Sequence, residues 1–310
     1  MGAPAASRPS RIFPGDTVGV VAPSGAVDPG RLARGVAVLE SWGLRVRLGH
    51  FVDRRSGYLA GPDDVRLADL QAMLDDPGVR AVFCARGGYG SQRIVPEIDW
   101  SRLIRSPKMI IGYSDATVLL AAAVREIGVA VHGPMVAADL ARGLAAPALE
   151  RLRRVLMEPD YLWHDEMPVC LRPGCAEGRL VGGCLSVVAA MLGTPHALDA
   201  RGAILFLEDV NEHSYRLDRL FLQVRQSGLL DEVAGIVFGT FDGCSPHDGV
   251  TPLDVLRDHL RDCPVPVAYG LAAGHSPAAS DVVNMALPLG IRVRLDATGG
   301  RLMALEAAVA

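Results

Sequence analysis

The sequence predicts an α/β protein in two parts: an N-terminal domain built on a parallel sheet covered by helices, and a second, smaller β-rich C-terminal domain. Three observations carry this. At 310 residues the chain exceeds most single small cores, and with half its residues hydrophobic it has the material for large ones. The first half alternates short β-branched runs with longer helical stretches, the pattern of strands joined by crossover helices. The end of the chain instead carries two alternating runs around Thr298, Gly299 and Gly300, where paired glycines supply the positive φ of a tight hairpin.

In order, the N-terminal runs are TVGVVAPSG, RLARGVAVLESWG, LRVRLGH, DDVRLADLQAMLDD, VRAVFCARGG, KMIIGYS, ATVLLAAAVREIG and VAVHGPMV. Gly25, Gly43, Gly61 and Gly128 fall where elements should end. These runs place the first domain at 1–147. Residues 148–177 begin helically and then loosen around Pro159, Pro168 and Pro173, as an interdomain connection would. The C-terminal domain, 178–310, opens with GRLVGGCLSVVAAMLGTP and continues through GAILFLEDVN and LDEVAGIVFGTF to the closing hairpin, so its sheet should be mixed or antiparallel.

Lysine and arginine number 31 against 35 acidic residues, a formal charge of −4 that lacks the basic excess expected of a nucleic-acid or anionic-membrane binder. The first residues, MGAPAASRPSRIFPGD, are polar and proline-rich without the apolar core of a secretion signal, and no run reaches membrane-spanning length, so a cytoplasmic protein is expected. The six cysteines contain no CxxC pair and read as buried free thiols. His132, His164, His196 and His247 are scattered singly, with no HExxH or His-Cys spacing, so neither metal nor cofactor is expected.

Four stretches could carry chemistry. In IIGYSDATVLL, Ser114 and Asp115 stand where an apolar strand hands over to an apolar helix. Either could be an ordinary N-cap. Ser114 could instead be a nucleophile on a tight strand-to-helix turn, in a near match to G-x-S-x-G with Ala116 in place of the last glycine, though the stretch alone does not discriminate. The stretch ARGGYGSQR, residues 85–93, fails the dinucleotide fingerprint and the phosphate-loop ending; it is a plain turn or a source of amides for an oxyanion. Glu208 and Asp209 follow an apolar run in LFLEDVNEHSYRLDR, where a carboxylate could orient a histidine, while Glu212 through Arg219 fits a solvated face. His275 lies in the glycine-flanked loop GLAAGHSPAAS. Ser, Glu and His in that order could form a triad.

Together with GDTVGVVAPSG, HGPM, RLVGGCLSVVAAMLGTP, GIVFGTF and GHSPAASDVVNMALPLG, these blocks resemble the LD-carboxypeptidase family, whose relatives include the microcin C immunity peptidases. The resemblance runs over nearly the whole chain. It implies a flavodoxin- or Rossmann-like parallel-sheet domain carrying the serine and a smaller β-rich domain carrying glutamate and histidine. It further implies a serine peptidase with Ser114 as nucleophile, His275 as base and Glu208 as its orienting carboxylate, and with backbone amides of Gly88 and Asp115 as the oxyanion hole. Cys184 stands where relatives commonly carry asparagine, which puts a local hydrogen bond in doubt.

The implied activity is cytoplasmic hydrolysis of the L-diamino acid–D-alanine bond of murein tetrapeptides in cell-wall recycling, by a homodimer acting on a small peptide without nucleic-acid or membrane partners. Cleavage of a peptidyl or aminoacyl adenylate toxin is the alternative. A catalytically silent small-molecule binding protein and an ordinary α/β-hydrolase fit less well: all three triad residue types stand in matching blocks, and a single-domain hydrolase leaves the final hairpin unexplained.

Overall fold

The computed structural model describes residues 8–276 and 283–310; residues 277–282, within the GHSPAASDVV block, lie outside the described residues. The chain forms two compact units. The first runs to Tyr161 and regains the chain from 283 to Pro288 and at Ala307–Ala310; the second holds the residues from Leu162 onward and Leu289–Glu306.

The first unit contains β1 (Thr17–Val21), α1 (Pro29–Ser41), β2 (Arg45–Leu48), α2 (Asp63–Asp75), β3 (Val79–Cys84), α3 (Ser91–Ile94), α4 (Ser101–Arg105), β4 (Met109–Gly112), α5 (Thr117–Ile127), β5 (Ala130–His132) and α6 (Ala146–Met157). The pairings β1–β2, β1–β3, β3–β4 and β4–β5 are all parallel. Val18, Val20, Val82, Phe83, Ile110 and Ile111 are buried, as expected of strands covered on both faces. The strand order 2-1-3-4-5 reverses direction between β1 and β3. Ligands of open α/β sheets bind outside the carboxyl ends of the strands at such a switch point. Here the loops at that point are Pro23–Gly25, after β1, and Arg86–Gly90, after β3.

The second unit carries β6 (His164–Glu166), β7 (Val169–Arg172), β8 (Cys175–Cys184), α7 (Leu185–Met191), β9 (Ile204–Val210), α8 (Ser214–Gln226), β10 (Gly235–Asp242), α9 (Pro252–His259) and β11 (Val267–Tyr269). After β12 (Leu287–Leu289), which edges the first sheet, come β13 (Arg292–Asp296) and β14 (Arg301–Ala304). The second sheet has the order β6-β14-β13-β8-β9-β10-β11-β7. It is mixed: β8–β9, β9–β10 and β10–β11 are parallel, whereas β13 pairs antiparallel with β14 and β8. The hairpin expected around Thr298–Gly300 joins β13 to β14, with Asp296 opposite Arg301. The stretch 148–177 holds most of α6, then β6 and β7, and passes from the first unit to the second at Tyr161/Leu162.

All six cysteines are free thiols, but only Cys84 and Cys184 are buried; Cys170 and Cys175 are exposed. The expectation of buried thiols fails at these two: Cys170 lies on the edge strand β7, and Cys175 is the first residue of β8, whose opening half alternates exposed and half-buried positions before its buried run begins.

Candidate active site

Ser114 sits between β4 and α5, at the start of a single 3₁₀ turn over Ser114–Ala116. Its φ of +61° is one of three positive values among the described non-glycine residues. A serine in the left-handed region stores strain of about 1–3 kcal/mol, and surrounding structure must hold it there. Tyr113 before it is extended and buried, and its hydroxyl donates to Asp139 at 3.1 Å. Neither the 3₁₀ turn nor α5 has a side-chain cap bond, so the N-cap reading of Ser114 and Asp115 does not hold. Asp115 instead turns its carboxylate away, accepting from the Ser91 amide at 2.8 Å.

That bond ties the turn to the glycine loop. A Cβ added to Gly87 would fall 2.9 Å from Ser114 Oγ, so only glycine lets the loop pass the hydroxyl this closely. Gly88 has φ +112° and rests against Gly25, while the Gly25 amide donates to Gly87 O at 3.1 Å. Ser24 and Ser91 share a buried hydroxyl–hydroxyl bond of 2.7 Å. Arg66, 2% exposed, donates to the carbonyls of Pro23, Gly61 and Gly90. Neither the Gly88 nor the Asp115 N–H donates to another main-chain group among the described residues, leaving both available as donors.

In the second unit Glu208 lies inside β9, fully buried; the strand runs on through both acidic residues to Val210 rather than ending before them. Its Oε2 accepts from His275 Nδ1 at 2.7 Å and from the His275 amide at 2.9 Å. The ring is thereby fixed with Nδ1 toward the carboxylate. Thr240 Oγ1 donates to His275 O at 2.6 Å. Gly274, at φ +114°, has no room for a side chain: a Cβ there would lie 2.6 Å from Glu208 Oε2.

Asp209 is 2% exposed and points to the other side of the strand, accepting from the amides of Ser186 and Val210, each at 2.8 Å. Burial, with the Glu208 charge adding to it, pushes its carboxyl up to about 6. The Cys184 thiol donates to Asp209 at 3.6 Å and lies 3.2 Å from Ser186 Oγ, so a thiol does take part in the local hydrogen bonding at this position. Burial and the charges of Glu208 and Asp209 hold its pKa well above the usual thiol range, as in an unreactive cysteine.

Glu212 and Asp218 stand apart from the histidine: Glu212 is 3.8 Å from Arg216, and Asp218 accepts from His259 at 2.8 Å. Among the described residues no group of three or more His, Cys, Asp or Glu side chains could hold a metal ion. Sequence reasoning missed Gly87, Arg66, Thr240 and the carboxylate role of Asp115. The GG pair could have flagged Gly87, but Arg66 looks like any polar residue of an amphipathic helix.

Residues 18–133 match the LD-carboxypeptidase N-terminal domain and residues 177–295 the LD-carboxypeptidase C-terminal domain. The murein tetrapeptide carboxypeptidase of Pseudomonas aeruginosa is 36% identical over 272 residues, 83% of this chain and 87% of that one. The microcin C7 self-immunity protein of Escherichia coli is 26% identical, covering 91% of each chain. The crystal structure of the muramoyltetrapeptide carboxypeptidase from Oxalobacter formigenes superposes with a TM-score of 0.84 at 32% identity, over 93% of this chain and 97% of that one. The chain belongs to the LD-carboxypeptidase family of peptidases.

Proposed function

We propose that the protein is a serine carboxypeptidase that hydrolyses the bond between the L-centre of the diamino acid and the terminal D-alanine of murein tetrapeptides. Ser114 attacks the scissile carbonyl while His275 takes its proton and later delivers it to the leaving amine. Glu208 holds the imidazole and stabilises its charged form, and the amides of Gly88 and Asp115 receive the oxyanion. The observation that carries the reading is the strained turn at Ser114, a serine held at φ +61° whose side chain makes no cap bond. The buried 2.7 Å Glu208–His275 pair supplies the matching base. The murein substrate is supported by the named activity of the Pseudomonas and Oxalobacter relatives.

The deciding experiment incubates the protein with L-alanyl-γ-D-glutamyl-diamino acid-D-alanine and, separately, with a peptidyl adenylate, and identifies products by mass. Release of one D-alanine, absent from a control ending in L-alanine, is the expected result. Cleavage of the adenylate alone would transfer the assignment to the immunity class, which the 26% identity to the microcin relative keeps in view. A cytoplasmic setting belongs to the same reading, as does a homodimer, which the solution mass from light scattering checks. No described helix is long and apolar enough to cross a membrane.

A further inference from the structure

An exopeptidase must tell a chain end from an ordinary peptide bond, and the free α-carboxylate is the feature that marks the end. The groups assigned above do not meet that carboxylate: Ser114 attacks, and the amides of Gly88 and Asp115 face the oxyanion. A carboxylate is best held by a guanidinium that no acid already neutralises. Three arginines touch the loops at the switch point of the first sheet. Arg66 is buried, donates to the Gly90 carbonyl and pairs with Asp63, and Arg93, whose amide also donates to Gly90 O, pairs with the same carboxylate at 2.7 Å. Arg86 differs. It is exposed and makes no ion pair among the described residues, and its side chain is tied down by one hydrogen bond, from Nη1 to Ala26 O at 2.9 Å. The guanidinium passes close over two glycines: a Cβ added to Gly25 would lie 3.5 Å from Arg86 Nε, and one added to Gly88 would lie 3.7 Å from Nη2. Gly87 meets Ser114 Oγ in the same way, at 2.9 Å. Consecutive residues of one loop thus stand against the hydroxyl and the guanidinium.

We propose that Arg86 binds the α-carboxylate of the substrate's last residue and so restricts Ser114 to the final peptide bond; the inference deepens the carboxypeptidase reading and rests on it. In such a substrate only the nitrogen and α-carbon of the leaving residue separate the scissile carbonyl from the terminal carboxylate. A carbonyl oxygen held by the Gly88 amide therefore brings the carboxylate within reach of a group standing beside that same glycine. With one of its five N–H donors on Ala26 O, the guanidinium keeps enough to meet both carboxylate oxygens as a fork. The Ala26 bond also holds the side chain in place before substrate arrives, which lowers the cost of ordering it on binding. A peptide whose last carboxyl is amidated or extended presents a neutral carbonyl and extra atoms at this point. It forfeits the charge-assisted pair, and its bond is left uncut.

The test compares kcat/KM of the full chain for L-alanyl-γ-D-glutamyl-diamino acid-D-alanine with that for the same peptide ending in D-alaninamide. The wild type should favour the free acid by about 10²-fold or more, since the site is built to pair with the charge that the amide lacks. In Arg86→Gln that preference should fall to about threefold or less, chiefly through loss of rate on the acid. Arg86→Met, a second neutral variant of similar length, gives the same reading where the glutamine variant does not fold. The ratio of the two substrates decides, because general damage to the loop lowers both rates together and leaves their ratio at the wild-type value. Release of D-alanine and of D-alaninamide at equal rates by the wild type, or a ratio unchanged in the neutral variants, overturns the role of Arg86 and leaves the carboxypeptidase reading standing. A wild-type protein inert toward both peptides overturns that reading, and the role of Arg86 with it.

Discussion

The two sheets hold the side chains proposed for catalysis by opposite means. In the first, a four-residue strand ends and the backbone is forced to φ +61° so that Ser114 stands clear of both strand and helix. In the second, Glu208 stays within a regular strand, fully buried, and holds His275 through two hydrogen bonds to one carboxylate oxygen. The serine is positioned by backbone strain and close glycine packing, the imidazole by burial and charge. The first arrangement should therefore fail when strain or volume changes, the second when charge changes.

The sharpest way to separate them begins with Ser114. Ser114→Ala removes the hydroxyl and keeps the strained turn, so hydrolysis should fall by roughly 10³-fold or more with an unchanged unfolding temperature. Ser114→Gly should be equally inactive yet more stable by about 1 kcal/mol, because glycine adopts the positive φ without strain. A Gly variant no more stable than the Ala variant would mean that the turn is not strained.

Next comes the charge. Glu208→Gln preserves shape but cannot neutralise an imidazolium, and should cost about 10²–10⁴ in kcat. Glu212→Gln and Asp218→Asn, whose carboxylates face Arg216 and His259, should leave kcat near the wild-type value. Comparable damage from Glu212→Gln would relocate the orienting carboxylate.

These contrasts also explain what the sequence made legible. The parallel sheet could be read because β1, β3 and β4 are almost entirely buried and appear as largely apolar runs, with β2 the exposed edge. The hairpin at Asp296–Arg301 could be read because a turn leaves a local mark, its glycines. Ser114, Glu208 and His275 stood at ends or turns of apolar runs, and the resemblance assigned their roles. What stayed hidden was long-range. Nothing local to DDVRLADL says that Arg66 will bind three carbonyls, and nothing local to IVFGTF says that Thr240 will hold the His275 carbonyl. The mixed character of the second sheet was foreseeable, but not that β8 would pair antiparallel with β13 along Cys175–Arg179 and parallel with β9 along Leu180–Cys184.

Volume tests the first sheet more gently than removal of the hydroxyl. Gly87→Ala should lower kcat by about 10²-fold, because its methyl would press on Ser114 Oγ from 2.9 Å and displace the nucleophile by a fraction of an ångström. KM should change less than kcat, since the hydroxyl makes its decisive interaction in the transition state. A matching loss in KM alone would place Gly87 in substrate binding instead.

The smallest expected effect tests charge in the second sheet through Asp209. Its carboxyl titrates near 6 in the folded protein, against an ordinary 3.8, chiefly because it is buried. Between those two values the folded state binds more protons than the unfolded chain, so this group makes the wild type lose stability as pH rises from about 4 to about 6 and adds no further change above. The loss is bounded by roughly 3 kcal/mol, two pKa units at about 1.4 kcal/mol each. Asn cannot ionise; its single amide oxygen keeps one of the two amide bonds while its NH2 meets the other N–H, a fixed cost that does not vary with pH. The stability of Asp209→Asn relative to wild type should therefore improve between pH 4.5 and pH 7.5, as read by denaturant unfolding at each pH. Hydrolysis should fall only modestly, because Glu208 and not Asp209 bonds the imidazole. Parallel pH profiles for the two proteins would show that Asp209 is ionised at no cost, and that hydrogen bonds rather than burial govern the carboxylates of this strand.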